Sequence, residues 1–116
     1  MHRPPHFSVD VAAHPGGVVV APRGDIDIAT VDEVRAPCRA AERGLVLDLR
    51  AVEFLDTSAL HLVVECRRRA DTDGVPFAVV RGRASVQRLF EIAGLNDWVR
   101  FVDDPAEALP GGGPAG

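Results

Sequence analysis

Asp56-Thr57-Ser58 sets a carboxylate and two hydroxyls in consecutive positions, directly after Val52-Glu53-Phe54-Leu55. A helical step of about 100° per residue from Ser58 gathers Ala59, Leu62, Val63, Cys66 and Ala70 on one arc, with Leu60 and Val64 at its margin. His61, Glu65, Arg68 and Arg69 fall on the opposite arc together with Ser58. Arg67 points into the apolar arc and has to carry its guanidinium out along its stem. A helix starting here sets Ser58 in its first turn, facing water. Asp56 or Thr57 is then the N-cap, its oxygen meeting amides that lack an intrahelical partner. A hydroxyl at that place either caps the helix or accepts a phosphoryl group. A phosphate there adds roughly −1.5 to −2 charge, which the helix dipole and the free amides tolerate. The effect of such a modification falls on whatever partner sits against this face.

Catalytic chemistry is not legible elsewhere. The chain has no P-loop spacing, no HExxH and no GxSxG elbow. Ser58 has only His61 near it in sequence, with no third group to orient a base, so the chain reads as a non-enzyme. Asp25, Asp27, Asp32 and Glu33 form a carboxylate group of the kind that attracts Mg²⁺. Asp32 and Glu33 are better explained by the first turn of a helix, where negative charge is stabilised, so neither metal nor cofactor is expected. Cys38 and Cys66 lie far apart, without a CxxC partner or nearby histidines. They read as small buried apolar residues of a reduced compartment.

These residues belong to a chain of 116 residues, room for one domain and one core. Apolar residues at 47% and charged residues at 26% are the balance of an ordinary globular protein and exclude a disordered one. The net charge is −4, and all 13 basic residues are arginines. A mildly acidic surface repels phosphate backbones, which argues against nucleic acid as a partner. Arg67-Arg68-Arg69, the one basic cluster, reads as a solvated helix face. No apolar run reaches the roughly 18–20 residues that cross a bilayer, so no membrane insertion is expected. No apolar segment of a secretory signal follows Met1-His2-Arg3-Pro4-Pro5, so a cytoplasmic location is expected.

Residues 1–6 read as an N-terminal arm, 7–109 as the domain and 110–116 as a flexible tail; the Pro- and Gly-rich end from Leu109 onward lacks apolar periodicity and is expected to fray. Phe7 to Val11 alternates as a half-buried strand, Pro15-Gly16-Gly17 turns, and Val18 to Ala21 pairs back, with Gly24-Asp25-Ile26-Asp27 closing the hairpin. Thr30-Val31-Asp32-Glu33 fits a capping box, and Val31, Val34, Cys38 and Ala41 mark the helical stripe after it. Pro37 lacks the amide that would bond to the Glu33 carbonyl and is expected to kink this helix. Leu45 to Leu49 and Val75 to Val80 read as strands buried on both faces. Val86, Leu89, Phe90 and Ala93 form a stripe stopped by Gly94 in a left-handed cap. Trp98 to Val102 reads as an edge strand and Pro105 to Leu109 as a helical turn. Strands alternating with helices after a hairpin give an α/β domain with a mixed sheet, whose order is not readable.

Val52 to Leu60 resembles the signature loop and helix start of STAS domains, particularly bacterial anti-sigma factor antagonists, where an aromatic, an apolar residue, Asp, two hydroxyl residues, Gly and Leu follow one another. Gly24-Asp25-Ile26-Asp27 resembles the family's Gly-Glu-Leu-Asp after the second strand, and Leu45 to Leu49 its central strand. Arg88 to Leu95 resembles its third helix with a Gly-Leu ending, so the similarity runs in order from Phe7 to Leu109. The resemblance implies a single STAS-like domain: a mixed four- to five-stranded sheet with an N-terminal hairpin, and about four helices mainly on one face. It further implies a partner switch. The second hydroxyl residue, here Ser58 with Thr57 as second choice, is phosphorylated by an anti-sigma factor that is itself a serine kinase. The unphosphorylated form binds that kinase and frees the sigma factor, and a PP2C-type phosphatase restores it. The docking surface expected on this chain comprises Asp25, Asp27, Asp56, Thr57, Ser58, Ala59, His61, Glu65 and Arg68, on a monomer or weak dimer. Ala59 stands where the family pattern has Gly; it adds a methyl beside the acceptor and favours the helix by about 1 kcal/mol. The same fold also serves as a non-catalytic subunit of lipid-transport or sensory complexes without a phosphoswitch. The intact Asp56-Thr57-Ser58 argues for the switch.

Overall fold

Pro15-Gly16 turns the chain back on itself, so β1 (Ser8–His14) pairs antiparallel with β2 (Gly17–Ile26), from Ser8 opposite Arg23 to His14 opposite Gly17. The computed structural model describes residues 6–109; the expected tail, 110–116, and all but His6 of the expected arm lie outside the described residues. Gly24-Asp25-Ile26 does not close the hairpin as expected. It extends β2 beyond the end of β1, where a further strand, β4 (Val52–Leu55), pairs with it in parallel. Gly24 makes this possible. Its φ of 101° suits only glycine, a Cβ there would meet the His6 carbonyl oxygen at 2.9 Å, and the register with β4 shifts at this residue.

α1 (Val31–Ala40) follows β2 and runs on past Pro37. β3 (Gly44–Asp48) comes before β4, and α2 (Thr57–Asp73), β5 (Phe77–Val80), α3 (Ala84–Ile92), β6 (Phe101–Val102) and a 3-10 turn (Pro105–Glu107) come after it. The sheet order is β1-β2-β3-β5-β6, with every pairing after the first parallel, and β4 pairs with β2 off this path. The chain is thus an α/β domain with a mixed six-stranded sheet and three helices, one strand more and one helix fewer than expected. β4 escapes sequence reading because its burial runs buried, exposed, exposed, buried, without alternation.

β3 and β5 are buried at every position because the sheet is covered on both sides. Leu47 and Val79 meet Val34, Leu62, Val63 and Phe90 on the side carrying all three helices. Val46, Ala78, Val80 and Val102 form a second cluster with Ala108 and Leu109 on the other. Leu109 therefore does not fray; it is 3% exposed in the second cluster. Phe90 is fully buried and meets Phe101 edge-on at 5.1 Å, a side chain whose burial contributes about 2–3 kcal/mol.

Three local expectations change. Thr30 precedes α1 but makes no side-chain cap; its hydroxyl turns back into the preceding loop. Ala93 is exposed, since α3 is too short to bury its full stripe, although Gly94 does take the left-handed φ of 74°. Trp98 lies outside β6, under the Arg67 guanidinium at 4.6 Å. Arg67 leaves the apolar arc by bonding to Asp71 at 3.2 Å and to the Trp98 carbonyl.

Candidate functional site

Asp56 is the N-cap of α2. Its extended backbone turns its carboxylate onto the Ser58 amide, which donates to Oδ1 at 2.8 Å. Its carbonyl accepts from the Ala59 and Leu60 amides at 3.1 and 3.3 Å, starting the helix. Thr57 is exposed and Ser58 half-buried, at the first and second helical residues. Among the described residues the Ser58 hydroxyl has no protein partner, and the one buried side-chain polar atom left unpartnered is His14 Nδ1. The Ser58 Oγ is therefore open to water. Below it Ala59, Leu62, Val63, Cys66 and Ala70 are buried as the wheel predicts, so α2 is held by its apolar face while its first turn stays accessible.

The second wall of the site is the end of β2 and the loop after it. Asp25 lies opposite Phe54 and Ile26 opposite Leu55 on the β2–β4 ladder, and the Asp56 amide donates to the Ile26 carbonyl at 3.2 Å. These pairings bring Asp25 and Asp27 alongside the start of α2. Thr30, fully buried, holds the loop: its hydroxyl donates to the Asp25 carbonyl at 2.8 Å and accepts from the Asp27 amide at 2.9 Å. The Asp27 carboxylate accepts from the Ala29 amide at 2.9 Å, and the Asp27 carbonyl receives the Val31 amide at 2.8 Å. Among the described residues no group of three or more His, Cys, Asp or Glu side chains is arranged to hold a metal ion.

Of the expected docking residues, Asp25, Asp27, Asp56, Thr57 and Ser58 are brought together, with exposed His61 one turn further along α2. Ala59 is not a surface residue. It is 2% exposed, so the methyl it adds relative to Gly points into the core rather than toward a partner. Glu65 and Arg68 lie about 10 and 15 Å down the helix from Ser58. Glu65 is occupied there, accepting from Arg35 of α1 at 3.0 Å, and this hydrogen bond raises the Arg35 pKa above its ordinary value.

Two residues of this face were not anticipated as contacts. Phe54 and Ile28 are 51% and 83% exposed, on the strand that leads into α2 and the loop after β2. Exposed large apolar side chains at a polar rim are the usual anchors of a protein interface. Phe54 was visible in the motif as its aromatic position; Ile28, a lone apolar residue in a loop, carries no periodic signal.

Comparison with known proteins places this architecture. The family model described as the STAS domain matches residues 8–108. The chain is 31% identical over 118 residues to the anti-sigma-F factor antagonist RsfB of Mycobacterium tuberculosis, covering 96% of this chain and 93% of that one. It is 27% identical over 109 residues to the anti-sigma F factor antagonist of Paenibacillus polymyxa, covering 90% and 93%. The crystal structure of an anti-sigma factor antagonist from Mycobacterium paratuberculosis superposes with a TM-score of 0.76 at 25% identity, covering 92% of this chain and 94% of that one. With the matched residues spanning every strand and helix of the sheet described above, the chain belongs to the STAS domain family.

Proposed function

We propose that this chain is an anti-sigma factor antagonist. Its unphosphorylated form binds an anti-sigma factor serine kinase and frees the sigma factor, and phosphorylation on Ser58 ends that binding. One observation carries the reading: the Ser58 hydroxyl is open to water at the second residue of a helix whose cap and core face are independently secured. A phosphoryl group there leaves the fold intact and is favoured by the N-terminal dipole of α2. It adds bulk and negative charge beside Asp25, Asp27 and Asp56, at the centre of a surface that Phe54 and Ile28 flank. A partner fitted to a neutral hydroxyl is thereby displaced. The names of the relatives give independent support.

In this scheme the chain is a kinase substrate and a binding module, with no reaction of its own. A PP2C-type phosphatase regenerates the binding form. Thr57, exposed one residue earlier, is the second choice of acceptor. The site of action is the cytoplasm, as a monomer or weak dimer; among the described residues no helix is long and apolar enough to cross a membrane.

The test is incubation with a candidate anti-sigma factor kinase and ATP, followed by intact mass. One phosphate is expected on the wild type and none on Ser58→Ala. A gain on both moves the acceptor away from Ser58. A gain on neither favours the alternative, a non-catalytic STAS subunit of a lipid-transport or sensory complex.

A further inference from the structure

We propose that Cys38 and Cys66 form a modification site, a thiol pair that a hydroperoxide converts to a disulfide joining α1 to α2. The two residues are 28 positions apart in the chain, yet the helix packing brings both to one cleft, where their side chains interact. Glu65 of α2 bonds to Arg35 at 3.0 Å and reaches Arg39 at 4.0 Å, one turn further along α1. Cys38 lies between those two arginines in sequence, and Cys66 directly follows Glu65. Both thiols are free, 4% and 7% exposed, and both line one cleft of about 240 Å³ between the helices. At about 30 Å³ per water, that cleft admits a molecule as small as a peroxide with room to spare.

The surroundings act on both thiols. Hydrogen bonding from Cys38 is the largest influence on Cys66 and draws its pKa below the ordinary thiol value; Arg69 and Arg35 act in the same direction, against burial and the Glu65 charge. The same hydrogen bond, and then burial, push Cys38 up. One thiol of the pair attacks as the thiolate, and the other resolves. In the first step one sulfur of the pair attacks one peroxide oxygen and the O–O bond breaks. Sulfur is oxidised to the sulfenic acid, and the leaving alkoxide or hydroxide takes a proton to become alcohol or water. In the second step the other sulfur attacks the oxidised one, the S–S bond forms, and the sulfenic oxygen leaves as water with the second thiol's proton. Two thiols and one hydroperoxide give one disulfide, one alcohol or water, and one further water. In a reducing compartment the bond is transient and thiol exchange reverses it. Packing alone asks for no such pairing, since two small apolar residues fill the same space.

The deciding experiment treats the folded chain with one equivalent of hydrogen peroxide, alkylates with iodoacetamide and maps peptides without reduction. The expected result is an intact mass lower by two hydrogens, no alkylation of either cysteine, and one cross-linked peptide joining Cys38 to Cys66, reversed by dithiothreitol. Cys38→Ser and Cys66→Ser should each lose the cross-link, and at least one of them should stop at a sulfenic acid on the remaining thiol that dimedone traps. Full alkylation of both cysteines after peroxide overturns the proposal, as does a cross-link found solely between chains. If a serine variant fails to fold, the wild-type map decides alone.

Discussion

The Asp56 carboxylate accepts the Ser58 amide at 2.8 Å, so the residue that caps α2 also fixes the backbone of the residue offered to solvent. Capping and presentation are one device here. The cap secures the first turn locally, and the buried face from Ala59 to Ala70 secures the rest of the helix. In the proposed switch, charge placed on Ser58 is read by a partner and not by the fold.

Ser58→Asp should weaken binding to the anti-sigma factor by tenfold or more (about 1.4 kcal/mol), while Ser58→Ala binds like the wild type and does not respond to kinase and ATP. A calorimetric titration of the three forms checks this. Agreement of all three within a few-fold would contradict the switch.

Asp56→Ala removes the side-chain acceptor at the helix start and should lower stability by about 1 kcal/mol, whereas Asp56→Asn keeps a competent cap and costs only a few tenths. Urea unfolding of the three proteins distinguishes these. Equal midpoints for the alanine and asparagine variants would show that the carboxylate does not cap.

Phe54→Ala and Ile28→Ser act on side chains that are 51% and 83% exposed. Each should leave stability within about 0.5 kcal/mol of the wild type and cost more than about 1 kcal/mol of binding to the anti-sigma factor. Thermal melts together with the binding titration separate the two quantities. A loss of stability without a loss of binding would remove these residues from the docking face.

Thr30→Val leaves the Asp27 amide and the Asp25 carbonyl without the hydroxyl that joins them, at a position with no solvent exposure. The expected cost is about 1–3 kcal/mol, with faster amide hydrogen exchange across the Asp25–Thr30 loop. Unchanged exchange there would mean that the β2–β4 ladder alone holds the loop.

Where side-chain type and spacing act within one element, the sequence was sufficient. The buried arc of α2, a cap at Asp56 or Thr57, the double burial of Leu45 to Leu49 and the left-handed Gly94 all follow from periodicity, local hydrogen bonding or backbone sterics, and the structure selects Asp56 as the cap. Tertiary structure decided whatever depends on a partner from elsewhere in the chain. Val52–Leu55 is a strand because β2 runs past Gly24 to meet it, and Leu109 is buried because β3 and β5 require cover on their second face. Thr30 abandons its cap because the Asp25 carbonyl and the Asp27 amide converge on its hydroxyl. Glu65 is tied to α1 because Arg35 lies across from it, and two cysteines with no sequence motif come to line one cleft through the same helix contact. Periodicity tells each residue which side of its own element it occupies. Which residue of another element waits there is set by how the sheet orders its strands, and that is a property of the whole chain.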